Sequence, residues 1–369
     1  MPARTGEGTI TVDVPTFRPD LAREIDLIEE VARLAGYDTF NVPVETEWRV
    51  AAEIDRRNRE REDIKAHLIG LGFREVYTTT FLSQEEVELL FPDKDPAELC
   101  YLRNPISSDA RVLRPSLIPG LLRVLRLNVS RNTPDLRIFE LGTIFSRSAE
   151  GGKVPRESVS ISGLMAGHQH PVHWSRGSPG PVDFFDMKGV LSSLFKRMVS
   201  PPASYGKMKR EAFHPGRCAT VEIDGKEIGF FGEIHPVHLR QLQLPAPPLL
   251  FELDADYFES LGNRRSYSEF SPFPAVRRDL SLLVPKGISH RELEGGIREV
   301  FGELLEGITL YDIYTGPQIP SDRLGLTFAL VFRSRGRTLK DDEVDGLMIE
   351  VLQRMEKAFN VTLRPVDGA

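Results

Sequence analysis

The sequence predicts an α+β protein built on antiparallel sheets, and two stretches carry that prediction. Residues 218–236, CATVEIDGKEIGFFGEIHP, form two alternating apolar runs joined by Asp224-Gly225, a dipeptide typical of a type I′ hairpin turn. Residues 268–365 alternate strand and helix patterns in the order β-α-β-β-α-β, which is the ferredoxin-like arrangement. Short strands mixed with helices and hairpins favour antiparallel pairing over a parallel βαβ sheet.

Composition excludes several classes of protein. The chain has 369 residues, 40% hydrophobic and 27% charged, as in an ordinary globular protein of two or three domains. No apolar run approaches a membrane span, and the start of the chain has no apolar secretion segment. Cys100 and Cys218 lie far apart, which excludes a disulfide scaffold or cysteine-based zinc site and favours the cytoplasm. Because the net charge is −7, any nucleic-acid contact must be local or shared with a partner.

The first block, residues 1–45, combines one strand pattern with one helix pattern. TITVDV alternates like a strand, and RPDLAREIDLIEEVARLAGYD follows with apolar residues at helical spacing. Gly36 suits the position just after the end of that helix. A segment of this size cannot bury much of a core, so we interpret it as the end of a larger domain.

The second block, residues 46–262, predicts a mixed sheet domain. The patterns first predict a charged helix from Asp55 to about Leu71, a strand in EVYTTTFLS and an amphipathic helix. Strands in DLRIFELGTIFSR and VSISGLMAG follow, and then a mobile loop over 169–183. The block ends with a helix in DFFDMKGVLSSLFKRM and the hairpin. The apolar stripe of the amphipathic helix consists of Leu117, Leu121, Leu125 and Val129. We expect this stripe and the apolar strand from Ile138 to Phe145 to provide surface that a partner covers.

Four carboxylates of the first block could bind a metal ion. Asp26, Glu29 and Glu30 lie at i, i+3 and i+4 on one side of the predicted helix, and Asp20 precedes it. Converging carboxylates repel one another unless a cation neutralises them, and such hard ligands favour Mg²⁺ or Ca²⁺. The alternative is a solvated acidic face in which Glu29 pairs with Arg33.

Other motifs of catalysis or metal binding are weak. No GxxxxGKS/T, GxSxG or HExxH motif occurs, and Gly295-Gly296 falls inside a helical pattern. His168, His170 and His173 lie in a loop rich in proline and glycine, which is poorly organised for a metal.

Basic and aromatic residues of the third block could contact RNA. Arg277 and Arg278 precede its first strand, and Arg333, Arg335 and Arg337 follow its third. Tyr311 and Tyr314 on its second strand offer stacking faces, as in other sheet platforms for single-stranded RNA. The alternative is that the tyrosines belong to the core and the arginines form a solvated rim.

The order of six segments resembles the C-terminal part of the bacterial phenylalanyl-tRNA synthetase β-subunit family. They are PTFRPDLAREIDLIEEVARLAGYD, LRNPISSDARVLRPSLIPGLLRVLRLNVSR, DLRIFELGTIF, DFFDMKGVLSSLF, FHPGRCATVEIDGKEIGFFGEIHP and FPAVRRDLSLLV. The resemblance covers roughly residues 10–365. It implies the end of a metal-bearing B5-type domain over 1–45, a non-catalytic domain of class II synthetase architecture over 46–262, and a ferredoxin-like anticodon-binding (FDX-ACB) domain over 268–365.

The resemblance also implies site residues. Asp20, Asp26, Glu29 and Glu30 match the family's Mg²⁺ ligands one for one. Arg137, beside Phe139-Glu140, resembles a remnant of the class II motif 2, but the arginine pattern of motif 3 is missing. We therefore place no catalytic residue in this chain. For contact with the anticodon we select Tyr314 as a stacking residue and Arg278, Arg333 and Arg335 as phosphate ligands.

The implied function is that of the β-subunit portion of phenylalanine–tRNA ligase. The family works in the cytoplasm as an α₂β₂ heterotetramer, in which the α subunit uses ATP to attach phenylalanine to tRNA-Phe. Family β subunits are about twice as long as this chain, with an N-terminal tRNA-binding module and an editing domain. The alternatives are a stand-alone RNA-binding paralogue and a purely structural module.

Overall fold

The computed structural model describes residues 1–364 apart from 41–51, 106, 108, 148–153, 176, 199–202, 261–266, 268 and 317, and it leaves the side chains of 52–55, 258 and 259 undescribed. The block boundaries predicted at 45–46, 262, 268 and 365 lie outside the described residues. The chain divides into two compact units, Met1–Arg264 and Arg265–Ala369. No helix among the described residues is long and apolar enough to cross a bilayer.

The helices and strands follow one another in mixed order. The helices are α1 Glu24–Ala35, α2 Ala52–Gly70, α3 Gln84–Leu90, α4 Ile118–Ser130, α5 Phe184–Met198, α6 Leu239–Leu242, α7 Ala255–Ser260, α8 His290–Phe301 and α9 Asp341–Phe359. The strands are β1 Ala3–Gly6, β2 Thr9–Val12, β3 Arg74–Glu75, β4 Phe81–Leu82, β5 Val112–Leu113, β6 Leu136–Ser146, β7 Arg156–Ala166, β8 Ser204–Lys207, β9 Phe213–Ile223, β10 Lys226–Ile234, β11 Leu249–Asp254, β12 Val276–Pro285, β13 Leu305–Tyr314, β14 Arg323–Phe332 and β15 Thr362–Leu363.

The first forty residues form a hairpin and a helix with little core. β1 pairs with β2, and α1 ends at Gly36, whose φ of 85° is available to glycine without strain. No residue of α1 is buried, and four of its apolar residues, Ile25, Ile28, Val31 and Leu34, are more than half exposed. Leu21 is the one buried hydrophobic residue among residues 1–40. The small core expected for a strand and one helix is therefore observed.

A seven-stranded sheet in the order β3-β6-β7-β11-β10-β9-β8 forms the centre of the first unit. Its pairs are antiparallel except for β3 and β6. Because side chains alternate along each strand, Phe139 of β6 packs with α2 and α5, while its neighbour Ile138 packs with α4. Helices thus cover both faces of the sheet.

The predicted hairpin is present as β9 and β10. Asp224 and Gly225 have φ angles of 51° and 76°, as a type I′ turn requires at both central positions. Here the local signal was sufficient.

Two expectations for this unit were wrong. The segment EVYTTTFLS does not form one strand: it joins the short strands β3 and β4. Between them the Thr78 hydroxyl donates to the Glu140 carboxylate at 2.7 Å, a bond that replaces strand pairing there. The stripe of α4 is not a free apolar surface, because Leu117, Leu121 and Leu125 are at most 1% exposed within the chain's own core.

The close packing of β7 against β11 gives a stability prediction. A methyl group at Gly163 would lie 2.2 Å from Cε1 of Phe251, a fully buried ring on the neighbouring strand. Gly163→Ala should therefore lower the free energy of unfolding by about 1–3 kcal/mol through overpacking. Urea denaturation followed by far-ultraviolet circular dichroism measures this change.

Gly189→Ala is the matched control. Gly189 lies exposed in α5 with open space around its Cα, so alanine should raise stability by up to about 1 kcal/mol. Equal effects of the two substitutions would contradict the packing argument.

The second unit confirms the predicted β-α-β-β-α-β order. Its sheet has the order β13-β14-β12-β15 with all neighbours antiparallel. Both α8 and α9 pack on one face, where Leu280, Leu282 and Val284 of β12 are buried against helix residues such as Leu293 and Val351. In the described part of this unit the opposite face carries no helix, and we call it the helix-free face.

Candidate functional site

The helix-free face is polar and partly aromatic. Along β12 the residues that alternate with the buried leucines are Asp279, Ser281 and Leu283. The Ser281 hydroxyl donates to Thr327 on β14 at 3.2 Å. Beside them Tyr311 is 57% exposed, and burial and the nearby Asp279 carboxylate raise the pKa of its hydroxyl. Among the described residues of this unit, the helix-free face therefore carries the polar and partly exposed side chains.

Tyr314 lies on this face under an arginine that the sequence analysis missed. The Cζ atom of Arg364 is 4.4 Å from the centre of the Tyr314 ring, and its Nη1 is 3.6 Å from Asp312 Oδ2. Arg364 comes from the far end of the chain, just after the short β15, so only the sheet order brings it here. The Tyr314 ring is therefore already stacked on one side by a cation, and base stacking by Tyr314 stays a prediction.

Arg278 lies on the side of β12 that faces the helices. Its Nε donates to Asp345 at 2.8 Å and its Nη2 to Asp341 at 2.6 Å, both on α9. These two carboxylates raise the pKa of Arg278, and the bond to Asp345 has the larger effect. A guanidinium neutralised in this way is less available to phosphate than the sequence pattern suggested.

Arg333, Arg335 and Arg337 differ in how they are held. Arg333 donates to Glu306 at 2.9 Å and to the Phe273 carbonyl at 3.2 Å. Arg337 makes a bidentate pair with Glu343, which raises its pKa. Arg335 is exposed and makes no ion pair or hydrogen bond with another described residue. Of the predicted phosphate ligands, Arg335 is thus the one with an uncompensated charge within the described chain.

The acidic set of the first block surrounds an arginine. Arg18 donates to Asp20 at 2.8 Å and to Glu30 at 2.7 Å, and Arg33 reaches Glu30, not Glu29, at 2.7 Å. Bonds from Arg18 and then Arg33 lower the pKa of Glu30 to about 2. Asp26 instead accepts from the backbone N–H groups of Ala22 and Arg23 and so caps α1.

Only part of the predicted Mg²⁺ set therefore fits one cation. Asp20 and Glu30 already converge on a single positive charge, which is the chemistry that a hard cation needs. The Asp26 carboxylate already accepts from backbone N–H groups, and the Glu29 side chain makes no hydrogen bond or ion pair with a described residue. In the described ranges no three His, Cys, Asp or Glu side chains form a group that could hold a metal ion. The Mg²⁺ site stays a prediction.

At the sheet centre of the first unit, polar side chains are bonded to one another. Glu140, which follows Phe139 in the motif-2-like segment, is 2% exposed and accepts from Arg114 at 2.7 Å. Glu252 accepts from Ser162 at 2.8 Å and from the backbone N–H of Leu117 at 2.9 Å. These groups satisfy one another within the fold, and neither partnership can be recognised from spacing along the chain.

Three family models match the chain in order. Residues 1–37 match the tRNA synthetase B5 domain, 46–255 the phenylalanyl tRNA synthetase beta chain CLM domain, and 271–364 the ferredoxin-fold anticodon binding domain. The CLM match alone covers more than half of the 369 residues.

The curated proteins that this chain is similar to are described as phenylalanine–tRNA ligase beta subunits. The phenylalanine–tRNA ligase beta subunit of Syntrophus aciditrophicus is 35% identical over 356 residues, covering 95% of this chain and 44% of that protein. The protein of that name from Pseudomonas putida is 37% identical over 366 residues, covering 98% and 45%. The chain thus spans less than half the length of these relatives. Pyrrolysyl-tRNA synthetase from Desulfitobacterium hafniense is similar at 14% identity with a TM-score of 0.44, covering 70% of this chain and 88% of that one, a level that supports no conclusion.

Proposed function

The chain belongs to the phenylalanyl-tRNA synthetase β-chain family, and on that premise we propose that it is the β-subunit portion of a phenylalanine–tRNA ligase. In this proposal an α partner performs the ATP-dependent attachment of phenylalanine to tRNA-Phe in the cytoplasm. This chain contributes structure and a contact to the anticodon, and the assembly is an α₂β₂ heterotetramer.

The observation that carries the anticodon contact is the second unit itself. It has a ferredoxin fold that matches the anticodon-binding model, and it presents a helix-free face with Tyr311, Tyr314 and Arg364. Arg335 follows β14 of the same sheet with a free charge. An anticodon loop offers unstacked bases and phosphates, which aromatic rings and arginines recognise.

The first unit is proposed as the non-catalytic partner of a class II active site. An antiparallel sheet with helices on both faces supports that architecture. The buried Arg114–Glu140 pair and the bonded Glu252 support a structural role, because these polar groups are already committed to one another.

Co-expression with the α subunit of the same organism tests the proposal. We expect the two chains to co-purify in equal amounts, with a native mass of two copies each. We expect charging of tRNA-Phe to require both chains and ATP. A chain that binds tRNA but never co-purifies with α would instead indicate the stand-alone RNA-binding alternative.

We also propose that Mg²⁺ competes with Arg18 for Asp20 and Glu30, with Asp26 and Glu29 completing the ligand set. Arg18→Gln should remove the cation that Asp20 and Glu30 share and leave only Arg33 at Glu30, so Mg²⁺ should bind that variant at least tenfold more tightly than the parent chain. Isothermal titration with MgCl₂ measures this difference.

The control is the double variant Arg18→Gln, Glu30→Gln. It should lose the gain, because one of the two convergent carboxylates is then neutral. If MgCl₂ gives no heat with any of these chains, or binds the parent and Arg18→Gln equally, the four residues form only a solvated acidic face.

A further inference from the structure

A cleft with two arginines that have no carboxylate partner among the described residues lies in the first unit. It is formed where β6 begins and β7 ends, at the β3 edge of the sheet, and its volume is about 360 Å³. Its polar lining includes Arg74, Arg137, Asp135, His168 and His170, and we call it the arginine cleft. The volume falls at the lower end of the range for small-ligand sites.

Neither arginine has a carboxylate partner in the described chain. Arg137 donates from Nη2 to the carbonyl of Gln169 at 2.6 Å, a neutral acceptor that fixes the guanidinium in place. Arg74 is paired with β6 through its backbone, but its exposed side chain makes no hydrogen bond or ion pair with a described residue. Arg137 also runs close to Gly72, at which a Cβ atom would be 3.8 Å from Arg137 Nη1.

The one carboxylate in the lining, Asp135, is bonded to His168 of the same cleft rather than to either arginine. Asp135 Oδ1 accepts from the backbone N–H of His168 and contacts His168 Nδ1, both at 2.9 Å. The cleft therefore concentrates positive charge, although the chain as a whole carries −7. Guanidinium groups bind phosphate through two parallel hydrogen bonds, so the ligand class that fits is a phosphate ester.

The loop that borders the cleft adds an aromatic surface. Pro171 of this loop lines the cleft, and Trp174, three residues later, is 92% exposed. The ring of His173 lies 5.6 Å from that of Trp174. The exposed indole thus lies three residues along the chain from the lining of a cleft with free arginines. Proteins that bind single-stranded nucleic acids combine aromatic rings that stack on the bases with basic groups that hold the phosphates.

We propose that the arginine cleft and Trp174 bind a single-stranded segment of RNA, with Arg74 and Arg137 on the phosphates and Trp174 under a base. This contact is separate from the one proposed for the second unit and goes beyond it. An acidic protein segment could also meet two arginines, but it would give no reason for the exposed indole.

Trp174 itself supplies the readout. Trp48 and Trp174 are the only tryptophans, so Trp48→Phe leaves one indole at the proposed site. Titration of that chain with a five-nucleotide oligouridylate should quench its emission in a saturable way. Arg74→Ala in the same background should weaken the apparent affinity about tenfold, the loss expected for a charge-assisted hydrogen bond. Arg240→Ala, at an exposed arginine outside the cleft, should leave it unchanged.

The same readout separates this proposal from the anticodon contact. Because the second unit contains no tryptophan, quenching of Trp174 reports only binding near the arginine cleft: it should be lost in the Arg74→Ala, Arg137→Ala chain and retained with Arg240→Ala. Absence of quenching in the parent chain would overturn the proposal, as would quenching that survives the double substitution. Arginine-cleft substitutions that weaken only association with an α subunit would assign the cleft to protein docking and overturn it equally. None of these results bears on whether Arg335→Ala weakens tRNA binding.

Discussion

Replacing Arg114 by leucine is expected to lower the free energy of unfolding of the first unit by about 3–5 kcal/mol, the cost of leaving a buried charge without its partner. The Arg114 and Glu140 side chains are 8% and 2% exposed, and their atoms Nη1 and Oε1 are 2.7 Å apart. Leucine would fill the volume but supply no donor. Glu140 would keep only the Thr78 hydroxyl, 2.7 Å from Oε2, and the more distant Thr78 N–H.

The same arginine also joins three segments that are distant in sequence. Its Nε donates to the Thr143 carbonyl at 2.9 Å, and its Nη1 contacts Thr78 Oγ1 at 3.2 Å. Loss of these bonds adds to the effect of the unpaired carboxylate. Urea denaturation followed by far-ultraviolet circular dichroism gives the change in the free energy of unfolding.

A double-mutant cycle identifies the cause. Arg114→Leu with Glu140→Leu should be less destabilised than Arg114→Leu alone, because no charge is then buried without a partner. Arg126→Leu, at an exposed arginine of α4, is the control and should change stability by less than about 0.5 kcal/mol. A loss below about 1 kcal/mol for Arg114→Leu would show that water reaches Glu140.

The features that the sequence predicted are those fixed by neighbours in the chain. Asp224-Gly225 determines its hairpin through the φ angles of two adjacent residues, and Gly36 ends α1 in the same way. The β-α-β-β-α-β order of the second unit was also readable, because each element has its own periodicity.

The features that the sequence did not predict depend on distant partners. Thr78 was expected within a strand but instead bonds to Glu140, which is 62 residues away in the sequence. Arg278 lies in β12, and its charge is neutralised by Asp341 and Asp345 of α9, which are more than 60 residues away in the sequence. Arg364 reaches Tyr314 only through the order of the sheet. Spacing along a chain identifies candidate ligands, but ion pairing in the fold decides which of them keep a free charge.

Whether a guanidinium keeps a free charge in the fold therefore determines how strongly each arginine of the second unit should affect tRNA binding. Arg335→Ala in the assembled enzyme should weaken binding of tRNA-Phe and lower the slope of log affinity against log salt by about one unit, as for one lost phosphate contact. Arg333→Ala should act in the same direction but more weakly, because Arg333 is shared with Glu306 and the Phe273 carbonyl. Arg278→Ala is the matched control and should leave the slope unchanged, since two carboxylates already neutralise it.

Filter binding at several salt concentrations measures all three variants against the parent enzyme. A slope that falls for Arg278→Ala but not for Arg335→Ala would mean that RNA displaces Asp341 and Asp345 and approaches from the helix side of the sheet. Unchanged slopes in all three variants would leave these arginines as a solvated rim and move the RNA contact to other residues of this unit. Because the three substitutions each remove one guanidinium and differ mainly in its partners, the comparison isolates the free charge as the cause.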